Sequence, residues 1–265
     1  MKIRVYDIDL AYDDHGIGIP VIFLHAFPLN RSMWDGVTTA LLEEQCYRLV
    51  TLDWRGFGES DITSDISTMD MFADDVVALM DALGMQQAVI CGLSMGGYAA
   101  FALWRKYASR IQGMILSDTR PGADNEEGKA NREQLAQLVE SQGVDAVADL
   151  QMPRLLSEYT RQNHPEVELR VRQMIDAATP QGISAASRGM AQRPNSTNML
   201  PDITCPTLIV VGEQDAITPP SVAQDYASKI PNAQLKVIPQ AGHLSTIEQP
   251  EAYLEQVKHF LLLLE

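Results

Sequence analysis

Gly92-Leu93-Ser94-Met95-Gly96 constrains this chain more than any other stretch. It follows the apolar run Ala88-Val89-Ile90-Cys91 and leads straight into residues 98–107, which form a helical pattern. A G-x-S-x-G pentapeptide between a strand and a helix is the setting of a nucleophile elbow. The turn strains the backbone of Ser94 and lifts its hydroxyl clear of the sheet edge. Glycines flank the serine because a Cβ at either position would strike the neighbouring strand or helix. Gly97 lets the start of the helix lie close to the sheet. A serine presented in this way is a chemical group in search of a base, an acid and an anion-stabilising loop.

The rest of the chain supplies a frame for such a turn. Val21-Ile22-Phe23-Leu24, Tyr47-Arg48-Leu49-Val50-Thr51-Leu52, Gly113-Met114-Ile115-Leu116, Thr207-Leu208-Ile209-Val210-Val211 and Gln234-Leu235-Lys236-Val237-Ile238 are further strand-like runs. Continuous apolar runs of this kind suit strands covered on both faces, as in a parallel sheet. Ahead of them, residues 3–10 alternate as one arm of a hairpin, with a turn expected near Asp13-Asp14-His15-Gly16. Residues 69–83 place Phe72, Val76, Leu79, Met80 and Leu83 on one helical face and stop at Gly84. A helix entered through Pro219-Pro220 covers 221–230. Another starts at Pro250 and stripes Tyr253, Val257, Phe260, Leu261 and Leu264 toward the sheet. Strand–helix alternation predicts an α/β fold with a mostly parallel, doubly wound sheet.

One region breaks the alternation. Residues 121–198 show no strand pattern, only helical ones around 132–141, 144–150, 153–160 and 167–178, punctuated by Gly122, Pro165, Pro180, Gly182 and Pro194. The expected organisation is a core of residues 1–120 and 199–265 with a helical cap, 121–198, inserted between two sheet strands. Residues 122–198 carry 8 basic and 11 acidic side chains, so most of the acidic excess belongs to the sheet portion.

Charge and cysteine usage narrow the function classes. A net charge of −15 over 265 residues repels phosphate backbones and argues against nucleic-acid binding. No run approaches a transmembrane length, and the N-terminus alternates where a signal peptide would be apolar. Cys46, Cys91 and Cys205 are odd in number and widely spaced, each beside or within an apolar segment. They read as buried thiols of a reducing compartment and form neither a disulfide frame nor a metal site. A cytoplasmic setting is expected, with no metal and no organic cofactor. Nothing marks an obligate interface, so the oligomeric state stays open.

Serine hydroxyls are weak nucleophiles at neutral pH and need a base within hydrogen-bond reach. Of His15, His25, His164, His243 and His259, only His243 follows the last strand run at the carboxyl edge of the sheet. Open α/β sheets place their sites at that edge, and the elbow emerges there too. Gly242 gives the loop freedom to aim the ring. His15 falls in a turn, His164 in the cap and His259 in the terminal helix, where solvated or structural roles are expected. An acid is needed to hold the imidazole tautomer. Asp215, in Gly212-Glu213-Gln214-Asp215 beyond a strand, is the first choice; Asp118 occupies the same topological position after residues 113–116, and Glu213 lies slightly early. The order Ser94, Asp215, His243 is the nucleophile–acid–base order of α/β-hydrolases.

On these motifs the chain resembles the α/β-hydrolase family over nearly its whole length, and within it the esterase and lactonase group of enol-lactonase-like and homoserine-lactonase-like enzymes. His25-Ala26-Phe27-Pro28 resembles the family's oxyanion loop, His-Gly-x-Pro, with alanine where glycine is usual. Asp53-Trp54-Arg55-Gly56-Phe57-Gly58-Glu59-Ser60 resembles its Asp-x-Arg-Gly-x-Gly-x-Ser turn, and Gly242-His243 its base loop. The resemblance implies that the backbone amides of Phe27 and Met95 bind the oxyanion. It implies cleavage of small-molecule esters or lactones through an acyl-enzyme on Ser94. Carbon–carbon hydrolases, peptidases and cofactor-free perhydrolase or haloperoxidase relatives share the scaffold, and a non-catalytic small-molecule receptor on the same fold is the alternative from a different class. A serine nucleophile argues against haloalkane dehalogenation, which needs a carboxylate there.

Other residues carry structural readings. His25 is expected to brace the oxyanion loop by hydrogen bonding. Residues 56–60 lack the lysine of a phosphate loop, so their glycines serve a tight turn, with Asp53 and Arg55 as an expected ion pair. Trp34, Trp104 and most methionines are assigned to the core, with some cap methionines lining a pocket. Arg120 stands at the cap entrance, solvated or facing an anionic substrate.

Overall fold

The computed structural model describes residues 1–264. The chain opens with a hairpin, β1 (Lys2–Val5) and β2 (Ile8–Gly16), followed by β3 (Ile19–Leu24), α1 (Asp35–Leu42), β4 (Tyr47–Leu52) and α2 (Met69–Ala82). Next come β5 (Ala88–Leu93), α3 (Met95–Tyr107) and β6 (Ile111–Ser117). Five helices precede the next strand: α4 (Glu126–Gln142), α5 (Val144–Leu155), α6 (Glu158–Asn163), α7 (Pro165–Asp176) and α8 (Pro180–Ala191). The remainder is β7 (Thr207–Gly212), α9 (Pro220–Ala227), β8 (Ala233–Ile238), α10 (Ser245–Glu248) and α11 (Pro250–Leu261). No helix among the described residues is long and apolar enough to cross a membrane.

The strands form one sheet in the order β1-β2-β4-β3-β5-β6-β7-β8. β1–β2 and β2–β4 pair antiparallel, and every other pair is parallel. This is the doubly wound, mostly parallel sheet that the apolar runs predict. The inner strands β3, β5 and β7 are almost wholly apolar because both faces are covered: Ala88 and Ile90 of β5 face one core, and Val89, Cys91 and Leu93 face the other. Helices α2, α3 and α9 supply Phe72, Phe101 and Tyr226 to the first core. Helices α1 and α11 supply Val37, Leu41, Tyr253, Val257 and Phe260 to the second. Trp34 and Trp104 are buried as expected, whereas Cys91 alone of the three cysteines is fully buried and Cys46 and Cys205 are partly exposed.

Two local expectations are corrected. Asp13-Asp14-His15-Gly16 is not the hairpin turn. The turn falls at Tyr6-Asp7, with Val5 opposite Ile8, and residues 12–16 pair with β4. Acidic residues persist in this strand because Asp14 is held by Arg48 at 2.6 and 2.9 Å. Nor do Pro180 and Gly182 punctuate a loop, since they open α8. Proline suits the first helical position, where its missing N–H has no partner to lose. The Thr179 side chain caps the end by accepting from the Gly182 amide at 3.0 Å.

Gly182 is there for space. A Cβ on it would stand 1.9 Å from the carbonyl oxygen of Gly56, so α8 and the 53–60 turn touch backbone to backbone. Backbone on both sides leaves no flexible side chain to yield. Gly182→Ala is therefore expected to cost about 3 kcal/mol and to lower Tm by roughly 6 °C or more. Thermal unfolding followed by circular dichroism checks it, and an unchanged Tm would contradict the close approach.

Candidate active site

The parallel register brings four loops to one edge of the sheet. Leu93 of β5 lies opposite Ser117 of β6, and Ser117 opposite Val210 of β7. Ser94 and Asp118 therefore leave the sheet side by side, with the loop after β7 next to them and that after β8 beyond. Ser94 has φ +54°, outside the ordinary range for a residue with a side chain. Two glycines make that turn possible. A Cβ on Gly92 would lie 2.4 Å from the Gly96 carbonyl oxygen, and one on Gly96 would lie 2.1 Å from that of Leu24. The strained turn is held by the Ser94 amide donating to Ser117 O at 2.9 Å and by the Thr119 hydroxyl donating to Ser94 O at 2.8 Å.

Ser94, His243 and Asp215 meet in one hydrogen-bonded line. Ser94 Oγ is 2.8 Å from His243 Nε2, and His243 Nδ1 is 2.8 Å from Asp215 Oδ2. An ionised carboxylate only accepts, so Nδ1 carries the proton and Nε2 turns its lone pair to the serine hydroxyl. Asp215 is fixed independently of the histidine. Its Oδ1 accepts from the amides of Ile217 and Thr218 at 2.8 and 2.9 Å, and its Oδ2 from the Thr218 hydroxyl at 2.6 Å. The Asp-x-x-Thr spacing before Pro219-Pro220 is the legible sign of that self-capping turn.

Asp118, the rival acid, is also buried, but its carboxyl faces elsewhere. It accepts from the Gly212 amide at 2.8 Å and the Ser245 hydroxyl at 2.5 Å, bracing the loops on either side. Burial, and then the like charge of Asp215, push its pKa well above the ordinary value. For Asp215 burial acts in the same direction, but the His243 charge and hydrogen bonds outweigh it, and its pKa is lowered. Glu213 is exposed and accepts from the Gln240 amide at 3.1 Å, away from the site. His15 lies in β2, His259 in α11, and His164 beside Glu166 at 3.2 Å.

His243 is buried among acids. Burial alone would lower its pKa, but Asp215, through charge and hydrogen bond, with Asp118 and Glu248 behind it, raises it above the ordinary 6.5. The ring accepts a proton only when neutral. Hydrolysis that uses it as base is expected to rise with pH through a midpoint above 6.5. The profile of kcat/KM between pH 5 and 9 measures this, and a flat profile in a chemistry-limited assay would contradict it.

On the opposite side of Ser94 stands the loop after β3. His25 donates from Nδ1 to Ala26 O at 2.9 Å and accepts at Nε2 from the Trp54 amide at 3.0 Å, which fixes its tautomer. Burial lowers its pKa to about 4, so it stays neutral and serves as a brace. The expected Asp53–Arg55 pair does not form, because each side chain is taken by another partner. Asp53 pairs with Arg31, and Arg55 grips Asp75 with two bonds at 2.7 and 2.8 Å. The amides of Phe27 and Met95 have no hydrogen-bond acceptor among the described residues. Met95 opens α3, where amides point outward unpaired and the helix end is partly positive.

Above this edge is a cavity of about 650 Å³. Phe27, Ser94 and His243 line its base, and α4, α5 and α8 roof it through Leu135, Leu155 and Met190 among others. Arg120, Arg132 and Arg154 also line it, against one carboxylate, Asp124. Arg120 is neither free nor fully solvated, since it bonds Asp124 at 2.7 Å. Arg132 and the buried Arg193 bind the same carboxylate at 3.2 and 2.7 Å. The pKa of Asp124 is lowered, burial being outweighed by these guanidinium groups. Arg154 has no polar partner among the described residues. The cluster joins Asp124 to Arg193, 69 positions on, and no sequence pattern announced it.

Residues 19–250 match a family model described as the alpha/beta hydrolase fold. A solved thermophilic esterase from Thermogutta terrifontis, with malate bound, is 46% identical and superposes with a TM-score of 0.95 over 97% of this chain and 94% of that one. The enol-lactonase from Burkholderia xenovorans superposes at 26% identity and a TM-score of 0.92, over 99% of this chain and all of its own. Among curated proteins, 3-oxoadipate enol-lactonase 1 of Acinetobacter baylyi is 30% identical over 242 residues, 91% of this chain and 88% of that protein.

Proposed function

Because the chain belongs to the alpha/beta hydrolase fold family, we propose that it hydrolyses carboxylic esters or lactones of small molecules through an acyl-enzyme on Ser94. The observation that carries this is the line Ser94–His243–Asp215, with both links at 2.8 Å, at the base of a ligand-sized cavity. His243 Nε2 takes the hydroxyl proton as Ser94 Oγ attacks the carbonyl carbon, and Asp215 stabilises the imidazolium. The charge arriving on the carbonyl oxygen falls to the amides of Phe27 and Met95, each such donor contributing roughly 3 kcal/mol to the transition state. Collapse expels the alcohol, which takes the proton from His243. In a lactone that alcohol stays tethered to the acyl group. Water then gives a proton to the same nitrogen and attacks the ester carbon; the bond to Ser94 Oγ breaks, Oγ recovers the proton from His243, and the acid leaves. Relatives named as an esterase and as enol-lactonases support the reading.

The lining suggests which esters. Three guanidinium groups face one carboxylate along the cavity, in a protein of net charge −15. A substrate bearing a carboxylate is expected to be drawn in over a neutral one of the same length, and added salt should erode the preference. The test combines a fluorophosphonate probe with p-nitrophenyl valerate and p-nitrophenyl hemisuccinate at low and high salt. Labelling at Ser94, turnover and a salt-sensitive preference for the hemisuccinate are the expected results. No label and no turnover would leave a small-molecule receptor, and cleavage of β-diketones without esters would move the reading to carbon–carbon hydrolysis.

A further inference from the structure

Glu248 is a buried carboxylate, 4% exposed, that the reaction above does not use. It closes α10, five residues after His243, and its two oxygens face opposite ways. Oε1 accepts from the amides of Gly242 at 2.9 Å and Leu244 at 3.2 Å, the residues on either side of His243. Oε2 accepts from the Ser157 amide and the Thr160 hydroxyl, both at 2.7 Å, where α5 gives way to α6 in the roof of the cavity. Two further bonds run between the same segments. The His243 amide donates to Leu155 O at 3.1 Å, and the Ser157 hydroxyl to Gln240 O at 2.8 Å. The loop carrying His243 is neither strand nor helix, so these bonds, and not a ladder of its own, orient its backbone.

We propose that Glu248 is a positioning residue that locks the His243 loop to the 155–160 junction of the helical roof, so that the imidazole is aimed at Ser94 when the roof is seated. The proposal rests on the reading of His243 as the base. Removing a buried carboxylate from water is costly, and four hydrogen bonds offset that cost. Glutamine cannot substitute. Its amide oxygen can accept on one side, but its NH2 then faces donors on the other. A ring displaced by a fraction of an ångström loses the 2.8 Å approach to the serine hydroxyl on which proton transfer depends.

Charge separates this role from a merely structural one. Three carboxyl groups raise the pKa of His243: Asp215 from the loop after β7, Asp118 at the end of β6, and Glu248 on α10. Glu248→Gln removes one of them, whereas Thr160→Val cuts a bond on the roof side and keeps the charge. Steady-state kinetics of p-nitrophenyl ester hydrolysis across pH, with Tm measured in parallel, provide the test. In Glu248→Gln, kcat is expected to fall about 10- to 100-fold with KM little changed, and the rising limb of the pH profile to move to lower pH. Thr160→Val should give a smaller loss in kcat with the limb unmoved, and the two together less than the product of their effects. A lowered Tm in Glu248→Gln with wild-type kcat and pH limb would overturn the proposal. Should that variant fail to fold, Thr160→Val decides: reduced kcat at unchanged KM supports the lock, and wild-type kcat removes it. Turnover within tenfold of wild type in Ser94→Ala would instead take down the serine mechanism itself, a separate outcome.

Discussion

Ser94→Ala is expected to lower kcat/KM for a short-chain p-nitrophenyl ester by roughly a million-fold, with circular dichroism and Tm close to wild type. The substitution keeps the Cβ and removes one oxygen, so the turn at φ +54° and its supports at Ser117 O and Thr119 are undisturbed. Only the bond from Oγ to His243 Nε2 disappears. His243 itself stays held through Asp215 and its backbone amide. A residual rate should persist, because water can still be activated by the ring and the amides of Phe27 and Met95 still face the carbonyl oxygen. Active-site titration sharpens the result: the wild type should release a burst of p-nitrophenol equal to its concentration, and the variant none. A variant within tenfold of wild type would show that another residue performs the attack.

Asp215→Asn is the second large effect, a loss of about 10⁴-fold in kcat. The amides of Ile217 and Thr218 would still hold the asparagine oxygen, which leaves its NH2 facing His243 Nδ1. A donor there makes Nδ1 the acceptor and moves the ring proton to Nε2, where it points at Ser94 and cannot take a proton from it. The geometry would survive while the tautomer is wrong. Asp118→Asn makes the control, since Asp118 bonds to Gly212 and Ser245 and not to the ring. Its expected effect is a loss of stability with most of the turnover retained. Equal losses in the two variants would transfer the acid role to a shared pair.

These contrasts also show what the amino-acid order reveals. Ser94, Asp215 and His243 were legible because each follows an apolar strand run, and parallel register carries all such positions to one edge. The same logic raised Asp118 as a rival, and only side-chain direction separates the two. Reading Pro180 and Gly182 as turn signals hid α8, because proline also opens helices and glycine also permits backbone contact. Asp13 to Gly16 looked like a turn because polar residues mark turns, yet a partly exposed strand tolerates them when an arginine answers. The Asp124–Arg193 pair and the bonds of Glu248 to Ser157 and Thr160 join residues far apart in the chain, and periodicity carries no information about such meetings.

The contact of Gly182 with Gly56 anchors one part of the roof, while much of the cavity lining comes from α4 and the middle of α5. Leu135, Leu138, Leu150 and Gln151 touch the cavity but share no hydrogen bond with Ser94, His243 or Asp215. Substitutions on the underside of those helices therefore alter the shape offered to a substrate and leave the proton relay alone. In a duplicated gene the two properties can be inherited apart. One copy can drift toward new acids or alcohols by exchanging a few roof side chains, without first losing the ability to break the bond.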